Sequence, residues 1–224
     1  MGNVFRCFVE KKPGFAVEAE GLYSELRHTL GLKSLTGVRV ILRYDVEGVD
    51  QAVYTAARNT ILSEPQVDTV WDEDFPLPAS AGSVLAVEAL PGQYDQRADS
   101  AAQCIQMMTG GERPAVRAAT VYVLEGALTP EDLDRARGYL INPVESRQAS
   151  LDKPDTLRQD YPAPADVPVL DGFAHMSEEE LKGVLETYGL AMDLADLKFF
   201  QQYMFEEELR DPTLTELRVV DTYW

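Results

Sequence analysis

The chain has 224 residues, 20 Lys and Arg against 38 Asp and Glu, a formal net charge of −18 and 45% apolar residues. That length suits one large domain or two small ones, and the composition is that of a globular protein. The negative field works against binding to nucleic-acid phosphates or anionic membrane surfaces. No apolar run approaches the roughly 18 residues needed to span a bilayer, and Met1-Gly2-Asn3-Val4-Phe5-Arg6 lacks the apolar core of a secretory leader. The two cysteines, Cys7 and Cys104, read as buried free thiols of a reducing compartment. A cytoplasmic protein without nucleic-acid or membrane partners is the expectation.

Val4 to Glu10 is rich in β-branched and aromatic residues and predicts a strand, broken at Pro13-Gly14. Ala16, Ala19, Leu22, Tyr23, Leu26 and Leu30 recur at helical spacing, with Gly31 as C-cap. Val38 to Tyr44 predicts a second strand. Asp50 then caps a helix that carries Val53, Tyr54, Ala57 and Ile61 inward. Pro65 stops it, and Val67 to Trp71 alternates as a short strand. Residues 72–82 cluster Pro, Gly, Ser and charge, as a linker does.

The pattern then restarts. Val87-Glu88-Ala89-Leu90-Pro91-Gly92 repeats Val9-Glu10-Lys11-Lys12-Pro13-Gly14 at an offset of 78 (91 − 13). The same offset pairs Val38-Arg39 with Val116-Arg117, Tyr44 with Tyr122, Glu47-Gly48 with Glu125-Gly126, Leu62 with Leu140 and Pro65 with Pro143. A constant offset across separate places marks an internal duplication. In the second copy Ala98, Ala101, Ala102, Ile105 and Met108 mark a helix ended by Gly110-Gly111, and Thr129-Pro130 opens another. Each half therefore reads β-α-β-α-β, with the long middle strand open to division in two. That is an α+β architecture of tandem ferredoxin-like repeats, residues 1–78 and 79–150. A half of this size has a marginal core, so the bare sheet faces of the two copies are expected to cover each other as a pseudo-dimer.

Residues 151–224 form a third segment. From Ser146 to Asp171 the prolines predict extended, loop-like chain. Helices follow from Ser177 to Gly189, from Asp193 to about Leu209, and from Thr213 onward, where Thr213 and Glu216 make a capping box. The last of these reaches Trp224 without a C-cap, as a truncated helix open to self-association.

Chemistry is sparse. His28 and His175 have no nucleophile or second ligand at useful spacing and read as surface residues. Asp72-Glu73-Asp74 could hold a cation but reads better as solvated linker. Catalytic residues, metal ligands and cofactors are therefore expected to be absent from this chain. One stretch stands out. Gln93-Tyr94-Asp95-Gln96-Arg97-Ala98-Asp99-Ser100 opens a helix and is far more polar than Phe15-Ala16-Val17-Glu18-Ala19-Glu20 at the matching place. Free N–H groups at a helix start attract anions, and Arg97 can hold a carboxylate or phosphate. The plainer reading has Asp95 capping the helix and Arg97 pairing with Asp99.

Residues 91–104, the exit Asn142-Pro143-Val144-Glu145 and the final stretch Asp211 to Trp224 resemble the large single-chain form of phosphoribosylformylglycinamidine synthase. The duplicated half is similar to the small separate subunit of organisms that split this enzyme. The final stretch resembles the family's lead-in to a Ser-(Glu/Asp)-His-Cys catalytic motif, which would begin at the next residue. The resemblance implies an N-terminal assembly region followed by a linker domain, with synthetase and glutaminase domains of the same enzyme as partners. It implies ATP and Mg²⁺ for the full enzyme, in its conversion of formylglycinamide ribonucleotide to the amidine in purine biosynthesis, and no activity for this chain alone. Gln93, Asp95, Arg97 and Ser100 become the substrate-proximal candidates. The rival expectation is a regulatory module that binds a small molecule between ferredoxin-like copies. A self-sufficient enzyme is the weakest reading.

Overall fold

Two long strands form the centre of the first unit. β2 (Leu35–Glu47) and β5 (Ala115–Gly126) are rich in Val, Ile, Leu and Tyr and pair antiparallel along nearly their whole length. The computed structural model describes residues 3–158 and 163–224. The chain divides into two compact units, Met1–Gln159 and Asp160–Trp224.

In the first unit β1 (Phe5–Lys11), α1 (Val17–Ser24), β2, α2 (Gln51–Thr60) and β3 (Asp68–Asp72) are followed by β4 (Ala81–Ala89), α3 (Gln96–Thr109), β5, α4 (Pro130–Leu140) and β6 (Ser146–Ala149). The strands make one six-stranded sheet in the order β3-β1-β2-β5-β4-β6, antiparallel throughout. The start signals read from sequence fall where expected. Asp50 Oδ1 accepts from Val53 N at 2.8 Å, and Thr129 and Asp132 cap α4 reciprocally. After α1 the helix widens into a π-turn at Glu25–Thr29 before Gly31. The Pro-Gly breaks share one backbone geometry, with φ at +87° in Gly14 and +86° in Gly92, a region open mainly to glycine.

The long middle strands, left open to division by the sequence, are not split, because Val38–Tyr44 and Val116–Leu124 contain no turn residues to fold them back. The final strand of the second half forms as β6, which pairs with β4 from Ser146↔Ala89 to Ala149↔Ala86 and so takes the first residues of the segment expected to be loop-like. The two halves also do not cover each other face to face. They join edge to edge through β2 and β5, forming a continuous sheet.

All four helices lie on one face. Tyr54 and Ala57 of α2 share a buried cluster with Ala98, Ala101 and Ile105 of α3. Leu22 of α1, with Leu26, shares another with Leu133 and Ala136 of α4. Each cluster thus takes one helix from each half, so neither half completes a core alone. On the other face Phe8, Ile41, Ala86, Val121, Val123 and Ala149 are also buried, each large side chain contributing about 1.5–3 kcal/mol. Two chain segments cover this face. After β3, Phe75 packs its ring 4.7 Å from that of Phe8, and Arg39 donates to Pro76 O at 2.7 Å. After β6, residues 150–158 form a strap. Arg43 donates to Ser150 O at 2.6 Å, Arg6 to Leu151 O at 2.7 Å and Arg117 to Leu157 O at 2.7 Å. Arg39 and Arg117 occupy matching places in the two copies, and each clasps the segment that follows its own half.

The second unit contains α5 (Glu178–Tyr188), α6 (Leu194–Tyr203), which widens into a π-turn at Met204–Glu208, and α7 (Leu214–Tyr223). Capping boxes open all three, at Ser177/Glu180, Asp193/Asp196 and Thr213/Glu216. Leu181, Leu197, Phe200, Met204 and Leu217 close around Phe173, which is fully buried. Leu209, expected on the helix face, instead turns left-handed and exposed where α6 ends. Asp211 takes the N–H groups of Gly172 and Ala174 at 2.7 and 2.9 Å. The break expected at Tyr161-Pro162 lies outside the described residues.

Candidate functional site

The residues singled out between Gln93 and Ser100 line one cleft of about 630 Å³ on the helix-bearing face of the sheet. Its floor is Val87 and Ala89 of β4 with Ala118 and Thr120 of β5, and its rim includes Glu145 and Ser146. Gln93, Asp95, Arg97 and Ser100 all border it. Arg97 and Ser100 are three apart on α3 and so share a side of the helix. Asp95 Oδ1 accepts from Ala98 N at 3.0 Å, as the capping reading expects. Gln93 donates to Val144 O at 3.4 Å, tying the loop before α3 to the one before β6.

The expected Arg97–Asp99 pair does not form. Asp99 is held by Arg113 and by the Tyr94 hydroxyl, which donates to it at 3.0 Å. Among the described residues Arg97 makes no ion pair, and its recorded contact is a donation to Thr120 Oγ1 at 3.4 Å. Its guanidinium is exposed at the cleft. Burial pushes the phenols of Tyr44 and Tyr122 upward. Glu18 adds to the shift at Tyr122, and the charge of Arg97 opposes it at both. Arg97 thus influences one tyrosine from each half.

A second, smaller cavity of about 230 Å³ occupies the matching place in the first copy. The differences between the two are chemical. Lys11 faces Asp68 across β1 and β3 and pairs with it at 2.9 Å, whereas the matching residues, Ala89 and Ser146, are small and uncharged. Leu42 stands where the second copy has Thr120, and Ala19 where it has Arg97. The first copy sets its own ion pair and Leu42 in the lining of its smaller cavity. The second leaves a polar cleft containing a cation available to a ligand.

Sequence reasoning missed Thr120 and Ser146. The signal was present, since the 78-residue offset sets Thr120 against Leu42 and Ser146 against Asp68. Among the described residues no group of three or more His, Cys, Asp or Glu side chains is placed to hold a metal ion. No helix there is long and apolar enough to cross a membrane. His28 and His175 are exposed, and His175 packs edge-on against Phe205 at 5.2 Å. No protein-family model and no curated protein matches the chain.

Proposed function

We propose that the chain is the N-terminal assembly and coupling region of a phosphoribosylformylglycinamidine synthase, built from two ferredoxin-like repeats and a linker domain. Its partners in this reading are the synthetase and glutaminase domains, which supply the ATP, Mg²⁺ and glutamine chemistry. The supporting observation is the asymmetry between the copies: the one with the polar Gln93–Ser100 run has the larger cleft, with an arginine outside any ion pair among the described residues, and the other has a smaller cavity carrying the Lys11–Asp68 pair. A scaffold needs both copies for its core and only one for contact with a substrate or neighbouring domain.

The test is reconstitution. The chain alone, given ATP, Mg²⁺, glutamine and formylglycinamide ribonucleotide, yields no product. Added to synthetase and glutaminase domains prepared without it, it binds them and restores turnover. Product from the chain alone, or no binding, would overturn the proposal.

The size of the cleft, within the range of ligand pockets, also favours a second reading, a regulatory module for a small metabolite. Calorimetry with purine-pathway metabolites and amino acids, on the native chain and on Arg97→Ala, separates the two, because the module alone must show saturable binding that the loss of Arg97 weakens.

A further inference from the structure

Under the strap that follows β6, on the face away from the helices, lies a cavity of about 320 Å³ lined by Arg43, Arg117 and Arg147 together with Asp45, Glu88 and Asp152. It shares Glu88 with the Arg97 cleft but takes its arginines from the opposite face of the sheet.

Two of its acids are already engaged. Asp45, 2% exposed, accepts from Arg6 Nε at 2.5 Å and from Arg6 Nη2 at 3.0 Å. Glu88 Oε1 takes both Nε and Nη2 of Arg147, at 2.9 and 2.8 Å. Arg6 backs this lining, and Arg117 also lies within electrostatic reach of Glu47, so guanidiniums and carboxylates interleave around the cavity.

Arg43 lies deepest, 5% exposed. Its Nη1 is satisfied by Ser150 O at 2.6 Å. Its Nε lies 3.4 Å from Asp45 Oδ2, close enough for ionic attraction but without hydrogen-bond geometry, so a buried donor has no acceptor among the described residues. Such a donor costs about 1–3 kcal/mol unless an acceptor reaches it. Burial lowers the Arg43 pKa; Asp45 opposes this, and Arg6 and Arg117 add to it. An anion would supply Arg43 with the missing acceptor and ease its repulsion by Arg6 and Arg117. A cation would meet Asp45 and Glu88 already committed to arginines, with Asp152 the one lining carboxylate outside an ion pair among the described residues.

We propose that this cavity binds a tetrahedral oxyanion, as inorganic phosphate or as the phosphoryl group of a small metabolite, between Arg43 and Arg147 with Arg117 beside them. Planar guanidinium forks suit phosphate oxygens, and the volume admits a phosphoryl group with a few carbons attached. The carbonyls of Ser150 and Leu151 are fixed by Arg43 and Arg6, so occupancy also tightens the strap.

The experiment titrates the full chain with inorganic phosphate and, separately, with glycerol 3-phosphate at constant ionic strength, by calorimetry and ³¹P line width. Saturable binding of either is expected, and the tighter one identifies the source of the oxyanion. Arg147 is 43% exposed in its side chain, so Arg147→Gln folds and should weaken binding roughly tenfold, the loss of one charge-assisted bond. Lys182→Gln, at an exposed position of the second unit, should leave binding unchanged. No saturable binding of either probe, full affinity in Arg147→Gln, or loss of affinity in Lys182→Gln would each overturn the assignment. The outcome is independent of the reconstitution test, which depends on the other face.

Discussion

Leu42 of β2 directly faces Thr120 of β5, the residue 78 positions further along the chain (120 − 42). An antiparallel pair has a local two-fold axis between facing residues, and at this pair alone the axis exchanges residues that the duplication makes equivalent. Tyr44 then faces Ala118, and Val40 faces Tyr122, as the same rotation requires. The seam between the copies is thus isologous, and its central pair is already asymmetric, with leucine in one copy and a hydroxyl in the other.

That asymmetry makes the first prediction. Under the function proposed above, Arg97→Ala in the chain used for reconstitution lowers turnover while the melting temperature hardly moves, because the side chain is exposed and outside any ion pair among the described residues. A large stability loss would show that the residue supports the fold instead.

Thr120→Leu restores in the second copy the residue of the first. It should narrow the cleft and abolish ligand or domain contact there without unfolding the sheet, since leucine already sits at the matching position. Binding measured alongside urea unfolding checks both halves of the statement.

Asp45→Ala leaves Arg6 and Arg43 charged and buried without their carboxylate. Breaking a buried pair from one side costs about 3–5 kcal/mol, and chemical denaturation reads it directly. The same change should loosen the strap at Ser150 and Leu151, detectable as faster amide exchange there.

Glu216 gives a pH dependence. The Arg210 guanidinium, with the Thr213 N–H and hydroxyl, holds its carboxyl down at about 2, against an ordinary 4.5. A carboxylate depressed on folding contributes stability above its unfolded pKa, and the contribution fades as pH falls through the folded one. The unfolding midpoint of the full chain should therefore drop between pH 4.5 and about 2, and Glu216→Gln should flatten part of that slope. An unchanged slope in the variant would place the acid sensitivity elsewhere.

The cysteines should differ in reactivity. Burial pushes the Cys7 thiol up to about 12, and it is fully enclosed, whereas Cys104 is half-buried. A thiol reagent at neutral pH should modify Cys104 in the native protein and Cys7 only after denaturant is added.

Much of the fold was legible because local signals agreed with one another. Asp50, Asp95, Thr129, Ser177, Asp193 and Thr213 all cap the helices they introduce, and the polar run after Pro91-Gly92 lines a cleft as a group. The partnerships made at long range were not legible. Arg6, Arg43 and Asp45 alternate with apolar residues and so read as the wet side of a strand. They are dry because carbonyls more than a hundred residues later accept from the two arginines, and Arg6 in turn holds Asp45. The edge-to-edge seam was hidden for a similar reason. Each of its strands has one largely apolar face, and periodicity cannot tell whether the strand's edge pairs within the same sheet or its face packs against another.

The joining of β2 to β5 within one polypeptide has a thermodynamic consequence. Were the halves separate molecules, dilution would pull them apart. Tethered by a short connection, each meets the other at an effective concentration on the order of millimolar. The seam therefore holds at any dilution, and sequence drift in one copy, such as the change that opened its cleft, never has to be matched by a self-complementary change in a second, identical subunit.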